Sequence, residues 1–514
     1  MSHPDVLPHD EFNRELVAQT HPPDWKNPAP LKLYDLVVIG GGTAGLVSAA
    51  GTARLGGKVA LIERHLLGGD CLNYGCVPSK ALIRAARAAH EMRRAGELGI
   101  LTPRSDSDDI GPTVDFPAVM GRMRRIRASI SHHDSAQRFT SMGVDVFLGD
   151  ARFIGRQIVE VGDAKLHFKR AIIASGARAA VPDVSGLAES SYLTNESIFS
   201  LTELPPRLVV IGGGPIGCEL AQAFSRFGSK VTIIQRGDRL LTKEEPAASE
   251  LIAEQFKNEG IDVLLSAKVL DIKRLGTFKQ LRVEASGQTA TVEAEAILVA
   301  AGRKPNLEAL NLDAAGVATG ERGVRVNDFL QTTNSRIYAA GDVVGSYQFT
   351  HAADAMARLC IQNAFFSLPF FGRKQLSKLI IPRATYTDPE IASVGLTEEK
   401  ARNEGVPLDC YREDMRHVDR AIIDGQENGF AVIHTRRGTD RVVGCTIVGS
   451  HASEMIGEIT LLMTADLGLK SLAATIHCYP TRVEVLKRIG DQYNCKRLTP
   501  AIARLLRTII AWRS

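Results

Sequence analysis

The sequence predicts an α/β protein made of two like units and a C-terminal α+β domain, and three observations carry that prediction. A glycine-rich turn between a strand and a helix occurs at Gly40 and again at Gly212, 172 positions on. Each turn is followed by a helical pattern and a second strand, which is the βαβ unit of a Rossmann-like dinucleotide-binding domain. From about Pro382 the texture becomes alternating, as in Phe430-Ala431-Val432-Ile433 and Arg441-Val442-Val443-Gly444, which predicts antiparallel strands with covering helices.

Residues 1–33 are polar, Pro-rich and weakly patterned, and are taken as an extension. The first unit starts at the apolar run Leu36 to Ile39, turns at Gly40-Gly41-Gly42-Thr43-Ala44-Gly45, continues as an Ala-rich helix to Leu55, and returns through Val59 to Ile62. Gly40, Gly42 and Gly45 fill GxGxxG. Glu63, 23 residues after Gly40, stands where an acid accepts hydrogen bonds from ribose hydroxyls. Such a turn lets backbone approach a pyrophosphate, and the helix N-terminus offers unpaired N–H groups to it. This fits the adenosine half of FAD, or NAD.

The second unit repeats the pattern with Gly212, Gly214 and Gly217 between Leu208–Ile211 and Val231–Ile234. Here the position 23 residues after the first glycine is Gln235, and Arg236 and Arg239 follow. A carboxylate would repel a 2′-phosphate, whereas guanidinium groups pair with it, so NADPH is expected in preference to NADH.

Composition narrows the function. A formal charge of +4 over 514 residues gives no basic surplus for nucleic acid. No run of about 18 apolar residues is present, so no membrane-spanning helix is expected. Met1 to Pro30 lacks a basic start followed by an apolar stretch, so a cleaved signal is not expected and a cytoplasmic location is. At the other end, Leu498, Ile502, Leu505, Leu506, Ile509, Ile510 and Trp512 fall on one helical face. Lys496, Arg497, Arg504, Arg507 and Arg513 lie largely off it, with no acid among residues 496–514. That segment suits either peripheral contact with an anionic membrane, at its inner face, or docking on the protein itself or a dimer partner.

Of eight cysteines only Cys71 and Cys76 are close in sequence, in Gly68-Gly69-Asp70-Cys71-Leu72-Asn73-Tyr74-Gly75-Cys76-Val77-Pro78-Ser79-Lys80. A zinc site wants tighter pairs in two sets, and no second set exists. A helix is expected to start near Pro78, which places Cys76 by a helix N-terminus and Lys80, where a thiolate is stabilised.

This stretch resembles the active site of the class I pyridine nucleotide-disulfide oxidoreductases, which include lipoamide dehydrogenase, glutathione reductase and mercuric reductase. The resemblance covers about residues 34 to 490. It implies a FAD-binding domain in two parts (34–178 and 303–380), an inserted NAD(P)-binding domain (179–302), a dimerisation domain (381–490) and thus a homodimer, followed by the basic segment 491–514. It also implies roles. Cys76 is the charge-transfer thiol against the flavin and Cys71 the thiol that meets substrate. Lys80 pairs with Glu219, Asp342 holds the ribityl chain of FAD, and Gly176 and Gly302 mark the crossings between domains. Electrons then pass from the nicotinamide through FAD to Cys76 and Cys71, and on to an acceptor.

One block departs from the family. Members that reduce small disulfides carry His-Pro-Thr and a downstream Glu. Here the run is His477-Cys478-Tyr479-Pro480-Thr481-Arg482-Val483-Glu484, and alignment on Pro-Thr and Glu484 puts Tyr479 at the base position. A phenol is a poor base at neutral pH. The tyrosine resembles mercuric reductase, whose soft metal substrate binds to thiolates, so Cys71 and Cys76 become transient metal ligands. The chain lacks that enzyme's C-terminal adjacent cysteine pair and its N-terminal CxxC domain. The expected acceptor is therefore a thiophilic metal ion such as Hg(II), or an unidentified disulfide. The alternatives are a dihydrolipoamide dehydrogenase-like enzyme with His477 as base, and a membrane-surface flavoprotein that gives electrons to a protein partner. Cys478 is a candidate third thiol.

Overall fold

The computed structural model describes residues 4–100, 113–367 and 372–513. The chain forms two compact units: 1–236 with 259–379, and 237–258 with 380–514.

In the first unit, α1 (Glu11–Thr20) lies inside residues 1–33, the weakly patterned segment taken as an extension. The Asp10 carboxylate caps it by accepting from Asn13 N at 2.8 Å. Ten residues are too few for a stable helix alone, so packing must hold it. Leu16 is fully buried against Leu66 and Leu72. The Asn13 side chain accepts from Arg127 at 2.6 Å.

The first βαβ comprises β1 (Tyr34–Ile39), α2 (Thr43–Arg54) and β2 (Val59–Glu63). The apolar runs of β1 and β2 are buried on both faces, as central parallel strands require. Two helices follow, α3 (Gly69–Tyr74) and α4 (Cys76–Arg93), and then α5 (Phe116–Ser131). Strands β3 (Val144–Leu148) and β4 (Ala164–Ile173) extend this seven-stranded sheet, in which β3-β2-β1-β4 lie in that spatial order and Val37 pairs with Ala60 and with Ala171.

The second βαβ comprises β5 (Arg207–Ile211), α6 (Pro215–Phe227) and β6 (Lys230–Ile234). The short strand β7 (Asp262–Leu264) joins beside β6, and β8 (Ala296–Val299) joins beside β5, giving a four-stranded parallel sheet. Strand β9 (Ile337–Ala339) returns to pair with β4 of the first sheet, and α8 (Thr350–Phe365) packs on α2. The two crossings lie side by side. Asn306 N donates to the Gly176 carbonyl at 3.0 Å and Ala180 N to the Gly302 carbonyl at 2.9 Å.

The second unit is built on a five-stranded antiparallel sheet. Its strands are β10 (Arg383–Thr385), β11 (Glu390–Gly395), β12 (Leu408–Asp414), β13 (Phe430–Arg436) and β14 (Val442–Gly449), in the order β10-β11-β14-β13-β12. Helices α9 (Ala452–Thr464) and α10 (Glu484–Arg497) bury Ile456, Ile459, Leu486 and Ile489 against one face. The unit ends in α11 (Pro500–Arg513), of which no residue is buried. The alternating texture after Pro382 thus forms antiparallel strands with covering helices. Among the described residues no helix is long and apolar enough to cross a membrane.

Candidate active site

Cys71 lies on α3 and Cys76 is the first residue of α4, two positions before the expected start at Pro78. The Gly75 link has φ −131° and ψ −113°, which ends one helix and starts the next. Cys76 therefore sits on the first turn of an 18-residue helix, at the positive end of its dipole. Both cysteines are free thiols, and they hydrogen-bond to each other.

The two sulfurs are pushed in opposite directions. Cys76 is pushed down to about 6, chiefly by the Cys71 hydrogen bond, with burial opposing and Thr350 and Lys80 assisting. Cys71 is pushed up, by that same hydrogen bond and by burial. The pair thus consists of a Cys76 thiolate and a Cys71 thiol that donates to it. The Thr350 hydroxyl, at the start of α8, lies 3.4 Å from Cys76 Sγ. Lys80, one turn into α4, places its Nζ 2.8 Å from Glu219 Oε2 on α6, and the Glu219 side chain is only 7% exposed. A buried carboxylate of this kind is retained only with a partner.

The two glycine turns are the same object built twice. Gly40 and Gly212 have φ of +107° and +115°. A Cβ on Gly45 would run into the Gly40 carbonyl oxygen, and one on Gly217 into that of Gly212. These glycines are required by the turn itself. Gly214 differs, because a Cβ there would meet nothing within 4 Å. Gly42 and Gly214 cap α2 and α6 without any side-chain hydrogen bond, and a helix start of that kind suits an anion such as a pyrophosphate.

Glu63 Oε2 accepts from Gly41 N at 2.6 Å and Oε1 from His65 N at 2.7 Å, and burial pushes its carboxyl up. Gln235 repeats the first contact, accepting from Gly213 N at 3.0 Å. The missing acid therefore leaves the turn intact and changes only the charge beside it.

Asp342 follows Gly341, whose φ is +79°, and burial pushes its carboxyl up. Arg303 bridges it, with Nε 3.2 Å from Asp342 and a terminal nitrogen 3.0 Å from Asp70. The turns, the uncapped helix ends and Asp342 suit a dinucleotide and a flavin. Sequence reasoning missed Thr350 and the Arg303–Asp70 contact. Arg303 directly follows Gly302, which marks a domain crossing, whereas nothing in the sequence marked Thr350.

Arg236 is exposed in the first unit. Arg239 falls in the second unit and is held there by Glu399 at 2.5 Å and the Thr242 carbonyl at 3.2 Å.

The His477–Glu484 block also belongs to the second unit. Tyr479 is 71% exposed and donates its hydroxyl to Asp419 at 2.6 Å, which pushes the phenol above its ordinary value. His477 Nε2 lies 2.9 Å from Glu458 on α9. Glu484 accepts from Arg488, one turn on, at 3.0 Å. Cys478 is exposed.

Together these features define a flavin- and pyridine nucleotide-binding oxidoreductase that works through a dithiol. Comparison with known proteins agrees. The model of the family described as pyridine nucleotide-disulphide oxidoreductase matches residues 34–357, and its dimerisation domain matches residues 381–489. The chain belongs to that family.

A mercuric reductase of Lysinibacillus sphaericus is 35% identical over 455 residues, 88% of this chain and 81% of that protein. A dihydrolipoyl dehydrogenase of Bacillus subtilis (strain 168) is 33% identical over 472 residues, 88% of this chain and 96% of that protein. Among solved structures, the Cu(II) complex of the HOCl-induced flavoprotein disulfide reductase RclA from Escherichia coli superposes with a TM-score of 0.78. Its identity is 28%, over 90% of this chain and 100% of that one. Family members are FAD-dependent and use NAD(P)H, and so this chain is an FAD- and NAD(P)H-dependent oxidoreductase.

Proposed function

We propose that the protein, as a homodimer, passes electrons from NADPH by way of FAD and the Cys71–Cys76 pair to a thiophilic metal ion such as Hg(II), or to a disulfide. Bound FAD supplies the two-electron link between nicotinamide and thiols. The chain's own residues do the rest. The glycine turns and uncapped helix ends bind pyrophosphate. Lys80 and the start of α4 hold Cys76 as thiolate, and Cys71 carries the transferable proton and meets the acceptor.

The observation that carries the metal reading is Tyr479. Its hydroxyl donates to Asp419 and is pushed further from neutrality, so it does not take a proton from a thiol at pH 7. Transfer to a disulfide needs that proton handling, whereas a soft metal bound by thiolates needs less of it. NADPH oxidation by the purified protein tests this, with mercuric ion, cupric ion, lipoamide, glutathione disulfide and quinones as acceptors. Turnover with mercuric ion well above that with lipoamide is expected. Rapid lipoamide turnover, lost in His477→Gln, overturns it in favour of the dihydrolipoamide dehydrogenase-like reading.

A second reading concerns place. Leu505, Ile510 and Trp512 of α11 are 60%, 67% and 84% exposed, and the described residues 496–513 carry basic but no acidic side chains. An apolar stripe bordered by arginines suits the headgroup region of an anionic bilayer. On this reading the enzyme is a peripheral flavoprotein that serves a partner at the membrane. Flotation with anionic vesicles should carry the full chain and leave behind a chain ending at Asn494. Equal behaviour of the two removes the idea.

A further inference from the structure

The chain before residue 34 lies outside the stretch that the family model matches, yet it is fastened to the redox loop at three places. Leu16 packs on Leu66 and Leu72. The Thr20 carbonyl accepts from Leu67 N at 3.2 Å, and the His21 ring donates to the His65 carbonyl. The third place is Arg127 on α5. One of its terminal nitrogens donates to the Asn73 carbonyl at 2.8 Å, the other to the Asn13 side chain at 2.6 Å. Asn73 stands between the two cysteines. Its own side chain donates back to the Leu67 and Gly69 carbonyls, at 3.1 Å and 2.8 Å.

The partners of Arg127 set it apart. The residue is only 2% exposed, and burial pushes its guanidinium down to about 10. A charge so placed is normally kept with an opposite one. Arg124 pairs with Asp10 on that principle, and Arg226 with Glu259, the residue after α7 (Pro246–Asn258). Arg127 forms no such ion pair among the described residues, and both of its acceptors are neutral. A staple between α1 and α5 needs only the Asn13 bond. The other bond goes to the end of α3, where carbonyls lack partners within the helix. Two residues later the chain reverses at Gly75 and returns Cys76 to hydrogen-bonding range of Cys71. A hydrogen bond weakens steeply with distance and angle, so whatever fixes this reversal fixes the contact between the sulfurs.

We propose that Asn13 and Arg127 are positioning residues for the redox pair: α1 holds the guanidinium, and the guanidinium holds the turn that sets Cys76 against Cys71. The segment before residue 34 is then part of the redox apparatus. This rests on Cys71 and Cys76 being the working pair. NADPH added to the air-oxidised holoenzyme should open Cys76 to iodoacetamide. Failure there removes that reading and the proposal together, whatever the variants below do.

The proposal itself is tested on holoenzyme reduced with dithiothreitol and desalted. The pH profile of Cys76 alkylation is read by peptide mass spectrometry in Arg127→Met, Asn13→Ala and Asn13→Asp. Arg127→Met should raise the Cys76 pKa by about one unit, so alkylation slows about threefold at pH 6.5 and hardly at pH 8.5. Asn13→Ala should move the profile the same way by about half a unit. Asn13→Asp keeps an acceptor for Arg127 and should keep the native profile. If α1 is merely structural, the unfolding midpoint falls and the profile stays in place. If only access changes, alkylation changes by the same factor at both pH values. Either result overturns the proposal. An unmoved profile in folded Asn13→Ala overturns it even where Arg127→Met shifts, because Arg127 then acts without α1. A shift in Asn13→Asp as large as that in Asn13→Ala overturns it as well, since loss of the acceptor is then not the cause.

Discussion

Lys80 and Glu219 should move Cys76 in opposite directions. Lys80 attracts the Cys76 thiolate and Glu219 repels it, and the two sit 2.8 Å apart. With Cys76 pushed down to about 6, roughly nine-tenths of it is thiolate at pH 7. Lys80→Met removes the attraction and leaves a buried carboxylate repelling the sulfur. Loss of a neighbouring opposite charge raises a thiol's pKa by about one unit or more, so the thiolate fraction at pH 7 should fall to about a half or less. Glu219→Gln leaves an uncompensated ammonium, which should push Cys76 below 6. At pH 5.5 a shift of about one unit should raise its thiolate fraction from about a quarter to about three-quarters.

The depressed pKa sets the sign. Thiolate is present above the folded value and lost as pH falls through it. The assay is the pH profile of Cys76 alkylation by iodoacetamide in the reduced protein, read by peptide mass spectrometry. General loosening of the site would move both variants the same way. Shifts of the same sign, or an unmoved profile in Lys80→Met, refute the electrostatic account. Lys80→Met should also cost about 2 kcal/mol of stability. That is less than a fully buried pair because the Lys80 side chain is 34% exposed.

Other expectations follow from the same geometry. Gly217→Ala forces a methyl into the Gly212 carbonyl and should destabilise the protein by about 2–4 kcal/mol in thermal unfolding. Gly214→Ala should unfold normally but bind NADPH more weakly in titration calorimetry, because its methyl enters only the open space beside the turn. Arg303→Met strands Asp342 and Asp70 and should cost about 1–3 kcal/mol, with FAD lost more readily on dilution, followed by flavin fluorescence. Arg127→Met leaves the Asn73 carbonyl and the Asn13 side chain without their donor. It should cost about 1–3 kcal/mol and make α1 the first site of limited proteolysis. An unchanged midpoint would show that α1 is held by Leu16 alone.

How much of this was legible depended on how local each constraint is. The glycine turns were readable because a positive φ and a close backbone approach admit almost no other residue. Cys71 and Cys76 were readable as a pair, yet the start of α4 was placed at Pro78 on propensity, whereas the backbone reverses earlier, at Gly75. Lys80 and Glu219 stand 139 positions apart, and only the family resemblance joined them before the structure did. The segment 1–33 looked featureless because α1 has little intrinsic stability. What makes it a helix is the packing of Leu16 and the Asn13–Arg127 contact, with a residue more than a hundred positions away. The charge of Arg239 was legible, whereas its ion pair with Glu399, 160 positions on, was not.

The sequence by itself determined the two glycine turns, the alternation of the last domain and the nearness of Cys71 to Cys76, since each is written in residues a few positions apart. The helix start and Lys80 already pointed to Cys76 as the stabilised thiolate, and only the tertiary structure showed the groups that act on each sulfur. Opposite shifts in Cys71 and Cys76 arise chiefly from their mutual hydrogen bond, while burial raises both and the Thr350 hydroxyl, 274 positions from Cys76, lowers both. Charge and hydrogen bonding act through space, so they become readable only once the fold has fixed the distances.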